Sequence, residues 1–342
     1  MKKYGLQICV ALILILLVGS CSRDTQRSFY YWKSVYQLSS SEKQYISDLH
    51  ISKLYLRFFD LDWKASISEA VPIAKIRFAE KVLPELEIIP VVYIVNKALL
   101  NKTPDAITAL AAKILKLTED IARNNGIAFH ELQIDCDWTD KTRDKYFELL
   151  KLIKAPLIKQ GKILSATIRL HQIKYRNFTG IPDVDRGMLM YYNMGKISAN
   201  SEENSIYNPK DAAKYIASLP NYPLPLDVAL PAFSWGIHIR QGKVIELLNN
   251  MNSSDFEHNP NFKKHNSSVF SVKHSVFFRG YYFKENDQVK VEEISPSNLI
   301  LAAEQLKSKL NAVGTVAIFH LDSLIISTYE KQNFEKIFNY YH

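Results

Sequence analysis

The chain has few cysteines, three in 342 residues. Cys9 lies within an apolar N-terminal run and Cys21 lies three residues after it, so Cys136 is the one cysteine in the remainder of the sequence. A single cysteine cannot form an intrachain disulfide, which excludes a disulfide-stabilised scaffold. We expect Cys136 to act as a small buried hydrophobic residue.

Several catalytic and cofactor motifs are also missing. No Gly-rich phosphate loop follows the first predicted strand, which argues against a dinucleotide-binding fold. There is no Gly-x-Ser-x-Gly nucleophile motif, and residues 30–33 lack the His-x-His pair that a barrel amidohydrolase would need. We expect no cofactor and no metal, although Asp135, Asp137, His171 and His320 are residue types that could hold a hard divalent cation.

Clustered positive charge is missing as well. Lysine and arginine outnumber aspartate and glutamate by 43 to 35, but the basic residues are scattered along the chain. Nucleic-acid binding needs a basic patch or stripe. We therefore expect no nucleic-acid partner, and at most a weak attraction to an anionic envelope surface.

The N-terminus has the features of a secretory leader, with two lysines directly after Met1 and an apolar run over residues 6–18. Residues 18–21, Val-Gly-Ser-Cys, resemble a bacterial lipobox. The resemblance implies cleavage before Cys21 and lipid attached to it; a simple signal peptide or an uncleaved anchor are the alternatives. We expect an exported protein, lipid-anchored to a bacterial membrane of the cell envelope, with residues 1–21 as leader and 22–28 as tether.

Residues 29–342 predict one α/β domain, which we expect to be a monomer. Helical patterns, among them residues 68–83 and 105–124, separate most of the predicted strands. Such alternation predicts a parallel sheet, and eight repeats predict a closed (β/α)₈ TIM barrel; an open doubly wound sheet is the alternative. The predicted strands are residues 29–36, 53–60, 87–95, 131–139, 163–171, 187–193, 226–235 and 315–321.

The long segment after the seventh strand, residues 236–294, predicts a small α+β insertion, because it exceeds the length of a bare loop. Within it the pattern predicts a short helix over 244–251 and a hairpin that pairs 276–283 with 289–294. Its position places it on the C-terminal rim of the barrel, where active sites of this fold lie.

The fourth predicted strand carries two carboxylates on one face. Strand side chains alternate, so Asp135 and Asp137 point one way while Ile134 and Cys136 point the other. Two carboxylates are costly to bury without cations or donors beside them. The pair therefore predicts either a structural ion-pair network or a solvent-accessible functional site at one end of the barrel.

The same alternation turns polar groups inward on other strands. It predicts Tyr55, Arg57 and Phe59 inward on the second strand and Arg169 and His171 on the fifth. One interpretation is an ion-pair network that plugs the barrel. The other is a polar cleft for a polyhydroxylated ligand, with rings stacking on sugar faces, such as Tyr31, Trp32, Trp63, Tyr191, Tyr192 and Trp235. The predicted binding residues are Trp32, Arg57, Asp60, Arg169, His171, Tyr192, Asn193 and Trp235.

Two short motifs resemble family 18 glycoside hydrolases, the chitinases and their relatives. Residues 134–139, Ile-Asp-Cys-Asp-Trp-Thr, resemble the family's Asp-x-Asp-x-Glu, and residues 190–193, Met-Tyr-Tyr-Asn, are similar to its Met-x-Tyr-Asp. The match assigns Asp135 and Asp137 to the two aspartates and Tyr192 to the tyrosine. It places Thr139 at the acid and Asn193 at the last aspartate, so the proton donor has no counterpart. More loosely, the chain resembles glycosidase-like barrel lipoproteins of bacteria.

These observations predict an envelope lipoprotein whose partners are a glycan or oligosaccharide and, through the lipid, a membrane. In one hypothesis the protein hydrolyses the glycan, with Asp137 and Asp135 joined by a second acid from Asp60, Asp62 or Asp322. The alternatives are a non-catalytic carbohydrate-binding barrel and a structural or partner-binding barrel.

Overall fold

The computed structural model describes residues 25–310 and 312–341. Each barrel strand runs parallel to its neighbours, and the first pairs with both the second and the eighth, which closes the barrel. The predicted (β/α)₈ barrel is confirmed, and the open sheet is excluded. The eight strands are β1 Gln26–Tyr31, β2 Lys53–Lys64, β3 Glu87–Ile94, β4 Glu131–Asp135, β5 Ile163–Arg169, β6 Arg186–Met190, β7 Leu226–Pro231 and β8 Thr315–Phe319.

Capping residues mark the starts of several helices. Ser39 forms a capping box with Glu42, and Thr103 and Asn208 accept hydrogen bonds from their helices ahead of a proline. The helices are α1 Ser40–Asp48, α2 Pro104–Asn124, α3 Arg143–Lys159, α4 Leu170–Lys174, α5 Arg176–Thr179, α6 Pro209–Ile216, α7 Ser253–Glu257, α8 Pro296–Lys307, α9 Ser323–Thr328 and α10 Lys331–Asn339.

The helix predicted over residues 68–83 is wrong. Strand β2 runs past the barrel to Lys64, and the chain folds back as an antiparallel strand, Glu69–Ile73. Pro72 lies within the predicted helix, where it would remove a hydrogen bond and clash with the preceding turn. Ser68 and Ala74 have positive φ, which is incompatible with a helix there. The end of β2 and the strand Glu69–Ile73 therefore form a two-stranded antiparallel extension at the C-terminal end of β2.

The insertion after β7 is a five-stranded antiparallel sheet with its own small core, which includes Leu248, Phe256 and Phe270. The helix predicted over 244–251 is wrong, because Gln241 and Gly242 form a positive-φ turn that returns the chain as a strand. Residues 276–283 instead form a hairpin of their own. The sheet strands are Trp235–Arg240, Lys243–Asn249, Phe262–Lys264, Val269–Val272 and Gln288–Glu292, and the hairpin strands are Val276–Phe278 and Tyr281–Phe283.

The predicted boundaries shift at both ends of the domain. Strand β1 begins at Gln26, within the segment predicted as a tether. The terminal helix that the sequence pattern predicts over residues 328–341 is the shorter α10, and α9 precedes it as an additional helix. The leader and Cys21 lie outside the described residues. Within residues 25–310 and 312–341, no helix is long and apolar enough to cross a membrane.

Candidate functional site

Strands β4 and β5 present facing polar side chains to the barrel interior, as the alternation predicts. Gln133 lies opposite Ser165 in the parallel register, and its amide donates to the Ser165 hydroxyl at 3.3 Å. Two residues further on, the Thr167 hydroxyl donates to Asp135 Oδ1 at 2.6 Å. The two strands therefore build a polar ladder that leads toward their C-terminal ends.

Arg169 closes the top of this ladder. Its Nε and Nη2 both donate to the carboxylate of Asp137, the latter at 3.3 Å. Nη2 also lies 3.9 Å from Asp135 Oδ1, and the guanidinium carbon lies 5.8 Å from the Tyr192 ring centre. Burial lowers the pKa of Arg169, but the two aspartates outweigh it and raise the pKa overall. One arginine thus compensates two carboxylates.

The two aspartates occupy different environments. The Asp135 side chain is 6% exposed, whereas that of Asp137 is 50% exposed. Burial raises the pKa of Asp135 from 3.8 to about 6; Asp137 adds to the rise, and Arg169 and Thr167 oppose it. Of the two aspartates, Asp135 is therefore the one that binds a proton more readily in the folded protein.

The raised pKa of Asp135 predicts how the free energy of unfolding depends on pH. Because the folded-state pKa of Asp135 is raised, its protonated form stabilises the fold below about pH 4, and this contribution is lost as pH rises through about 6. Two pKa units correspond to about 2–3 kcal/mol. We expect Asp135→Asn to gain that much unfolding free energy relative to the unsubstituted protein between pH 4 and pH 7. Denaturant titrations across this range check it, and parallel pH curves for the two proteins would contradict it.

A β-bulge in β2 brings a further ion pair into the site. Val91 and Val92 of β3 pair with Arg57 and Phe59, so one residue of β2 is extra and the alternation reverses. The prediction that Phe59 points inward is wrong: it lines an outer groove against α2. The reversal turns Asp60 inward, where both oxygens accept from Arg57, with Nε to Oδ1 at 2.6 Å.

Aromatic rings pack together between these ion pairs. The Phe319 ring centre lies 5.4 Å from that of Trp32 and 5.5 Å from that of Tyr192. Phe233 packs edge-on against both Tyr192 and Phe319. The Arg57 guanidinium lies 5.5 Å from the Trp32 ring centre. Apolar ring surface therefore lies next to charged donors and acceptors.

These residues surround an open cleft of about 720 Å³. Most of its lining residues end a barrel strand or follow one, so the cleft lies at the C-terminal face. Asp60 and His171 do not line the cleft, but the six other predicted binding residues do: Trp32, Arg57, Arg169, Tyr192, Asn193 and Trp235. Asp135 and Asp137 are its only lining carboxylates among the described residues, and they lie on one wall. The other lining residues are Lys33, Tyr93, Phe233, Ser234, Asn249, Asn250, Phe319 and His320.

The network that holds Trp235 is not evident from the sequence. The Trp235 indole donates to Glu292 at 3.0 Å, and Glu292 also accepts from the backbone and hydroxyl of Ser205. Lys290 Nζ lies 2.7 Å from the other oxygen of Glu292. These side chains are buried, so the network ties the insertion to the loop after β6. Lys290 and Glu292 lie two apart on one strand face, but the sequence does not reveal their partner.

Some predicted site residues lie elsewhere. Strand β5 ends at Arg169, and His171 is exposed on α4 rather than inside the barrel. Asp322 is the N-cap of α9, accepting from the Ile325 amide at 2.9 Å. His320 lines the cleft 3.6 Å from Asp322; burial lowers its pKa, and Asp322 opposes this.

Four other residues also fall outside the lining of the cleft. The Tyr31 hydroxyl donates to the carbonyls of residues 35 and 37. The Tyr191 hydroxyl donates to Gln305, and Trp63 packs beneath Lys102. Asp62 accepts from the backbone amide of Trp63. Each has a local structural partner instead.

Thr139, which the sequence match places at the acid position, does not line the cleft. Its backbone amide donates to the Thr142 hydroxyl at 3.0 Å, and its own hydroxyl accepts from Asn96 at 3.3 Å. Thr139 therefore serves the turn that leads into α3. Within the described residues, no group of three or more histidine, cysteine, aspartate or glutamate side chains is arranged to hold a metal ion.

The opposite end of the barrel is closed by a different polar cluster. Arg186 donates to Asp227 at 3.3 Å, and Asp227 also accepts from the Thr315 amide. Lys53 and Glu131 are buried close by on β2 and β4, and burial raises the pKa of Glu131. The ion-pair plug thus exists at the N-terminal end, while the C-terminal end stays open.

The architecture defines the fold class, a closed (β/α)₈ barrel. No family model matches the sequence, and no curated protein matches it. Solved structures share the fold. The spore cortex-lytic enzyme SleL of Bacillus cereus is similar with a TM-score of 0.54 at 13% identity, over 94% of this chain and 76% of that one.

Two chitinases show the same relationship. A chitinase from Chromobacterium violaceum has a TM-score of 0.54 at 10% identity, covering 91% of this chain and 99% of its own. A family 18 chitinase from Cycas revoluta, solved with (GlcNAc)₃, has a TM-score of 0.54 at 15% identity, covering 92% and 98%. The distant similarity to family 18 glycoside hydrolases that the motifs predict is confirmed at the level of fold.

Proposed function

We propose that the protein binds a glycan in the cleft at the C-terminal face of the barrel. The observation that carries this proposal is the cleft itself, in which ring surface and paired charges lie side by side around about 720 Å³ of open space. Sugar rings present apolar faces to aromatic side chains and hydroxyls to charged and amide groups. A barrel filled by its own ion pairs would leave no such space.

The polar groups suit hydroxyl recognition because they are already oriented. Arg169 holds Asp137 through two hydrogen bonds, and Arg57, which lines the cleft, is itself held by two hydrogen bonds to Asp60 behind it. An ion-paired carboxylate keeps further lone pairs that can accept from hydroxyls. Preorganised groups lose little freedom on binding. The fold's chitinase neighbours, one of them solved with (GlcNAc)₃, make an oligosaccharide the ligand class that we favour.

Hydrolysis is the second candidate, and the register of β4 favours it. The alternation that lines the barrel interior runs through Gln133, Asp135 and Asp137, and Thr139 lies outside the cleft. A two-residue shift of the family motif therefore puts Asp137, a carboxylate, at the position of the acid. Asp135 lies beside it with a raised pKa. Substrate-assisted hydrolysis, in which the sugar supplies the nucleophile, needs no second carboxylate across the cleft.

One experiment tests both candidates. The purified protein is titrated with oligosaccharides of chitin, peptidoglycan, cellulose and starch, and each mixture is then incubated and examined for shorter products by mass spectrometry. We expect saturable binding of at least one series. Products that vanish in Asp137→Asn while binding persists would establish hydrolysis; binding without products would leave recognition alone. No binding to any series would refute the proposal.

We also propose that the protein is exported and anchored through lipid on Cys21, as a monomer. The support is the apolar leader that ends in Val-Gly-Ser-Cys. We expect Cys21→Ser to abolish incorporation of radiolabelled palmitate and to move the protein out of the membrane fraction of the producing bacterium. Cys136→Ser is the matched control, since that thiol is buried in the barrel. Labelling that survives Cys21→Ser would contradict the anchor.

A further inference from the structure

A second cavity, of about 370 Å³, adjoins the cleft at the base of the insertion. Two stretches of chain run from the cleft to the second cavity. Phe233 and Ser234 line both spaces, while Asn249 and Asn250 line the cleft and Asn252 lines the second cavity. The two spaces are therefore neighbours that share a boundary.

The shared boundary carries an unsatisfied hydroxyl. Ser234 is 6% exposed, and no group within the described part of the chain hydrogen-bonds its Oγ. A buried hydroxyl without a partner is costly, and rotation of the Ser234 side chain toward either space would let a ligand hydroxyl remove that cost. The cavity beyond offers further polar groups, including Glu293 and Asn298.

We propose that the cleft and the second cavity form one extended oligosaccharide site, in which the distal sugar units pass Ser234 and lie against Asn252, Glu293 and Asn298. This inference rests on the proposed glycan binding and deepens it, because it specifies a chain longer than the cleft alone would hold. Affinity then increases with chain length until the second cavity is filled.

Substitutions of Asn298 test whether the second cavity takes part in binding. It is exposed on the first turn of α8, and the cap at Ser295 engages its backbone amide rather than its side chain. Asn298→Trp would fill the second cavity, and Asn298→Ala would remove polar contacts without filling it. Thermal unfolding of both variants shows whether α8 is intact.

The measurement is the Kd for chitooligosaccharides from disaccharide to hexasaccharide. We expect the hexasaccharide to bind more tightly than the disaccharide, and Asn298→Trp to weaken hexasaccharide binding about tenfold while leaving the disaccharide unchanged. Equal affinity at all lengths, or a Trp variant that affects every length or none, would overturn the extended site while glycan binding stands. Absence of binding at every length would overturn both.

Discussion

Replacing Arg169 by methionine is expected to lower the free energy of unfolding by about 3–5 kcal/mol. The Arg169 side chain is 17% exposed and compensates Asp135, which is 6% exposed, together with Asp137. Methionine keeps much of the side-chain volume but removes the charge, so a buried carboxylate is left without its cation. Chemical denaturation at pH 7 measures the loss.

Arg123→Met is the matched control. Arg123 is 73% exposed and pairs with Asp120 on the surface of α2, where an ion pair contributes at most about 1 kcal/mol. The loss of stability in Arg169→Met should shrink at low pH, because a protonated Asp135 no longer needs the cation. A loss equal to that of the control, or one independent of pH, would show that Arg169 does not stabilise the carboxylates.

Trp32→Ala is expected to weaken glycan binding at least 100-fold, or by about 3 kcal/mol. Trp32 is half-buried and offers ring surface to the cleft, between the Arg57 guanidinium and Phe319. Alanine removes the surface on which a sugar face would stack. Trp32→Phe keeps part of that surface and should recover part of the affinity. Isothermal titration with the tightest-binding oligosaccharide checks both variants.

Phe277→Ala provides the comparison outside the site. Phe277 is 76% exposed on the hairpin of the insertion, where it packs on Tyr282, and it does not line the cleft. Its replacement should leave the Kd unchanged. If Phe277→Ala weakened binding as much as Trp32→Ala does, the sugar would bind on the insertion rather than in the cleft.

The polar ladder of β4 and β5 could be predicted from the sequence because it depends on local alternation alone. Once the barrel is parallel, Asp135 must face Thr167 and Asp137 must approach Arg169. The closed barrel followed from the alternation of strands and helices in the same way. The helix predicted over residues 105–124 begins at Pro104, one residue from its expected start, where Thr103 caps it.

The remaining features depend on irregularities or distant contacts. One extra residue in β2 exchanges the sides of the strand to which Phe59 and Asp60 point. No residue type in this stretch is typical of a bulge. Strand β5 ends at Arg169, so His171 lies outside the barrel, although the alternation of apolar and polar residues continues to His171 in the sequence. Trp235 and Glu292 lie 57 positions apart and meet only through the fold of the insertion.

The most direct test of the account is to locate a bound sugar. Crystals of the purified protein soaked with the tightest-binding oligosaccharide should show sugar density in the cleft, stacked on Trp32 and within hydrogen-bond distance of Asp137 or Arg169. Density elsewhere on the protein, with the cleft holding only solvent at full ligand occupancy, would contradict the claim that this cleft is the glycan-binding site.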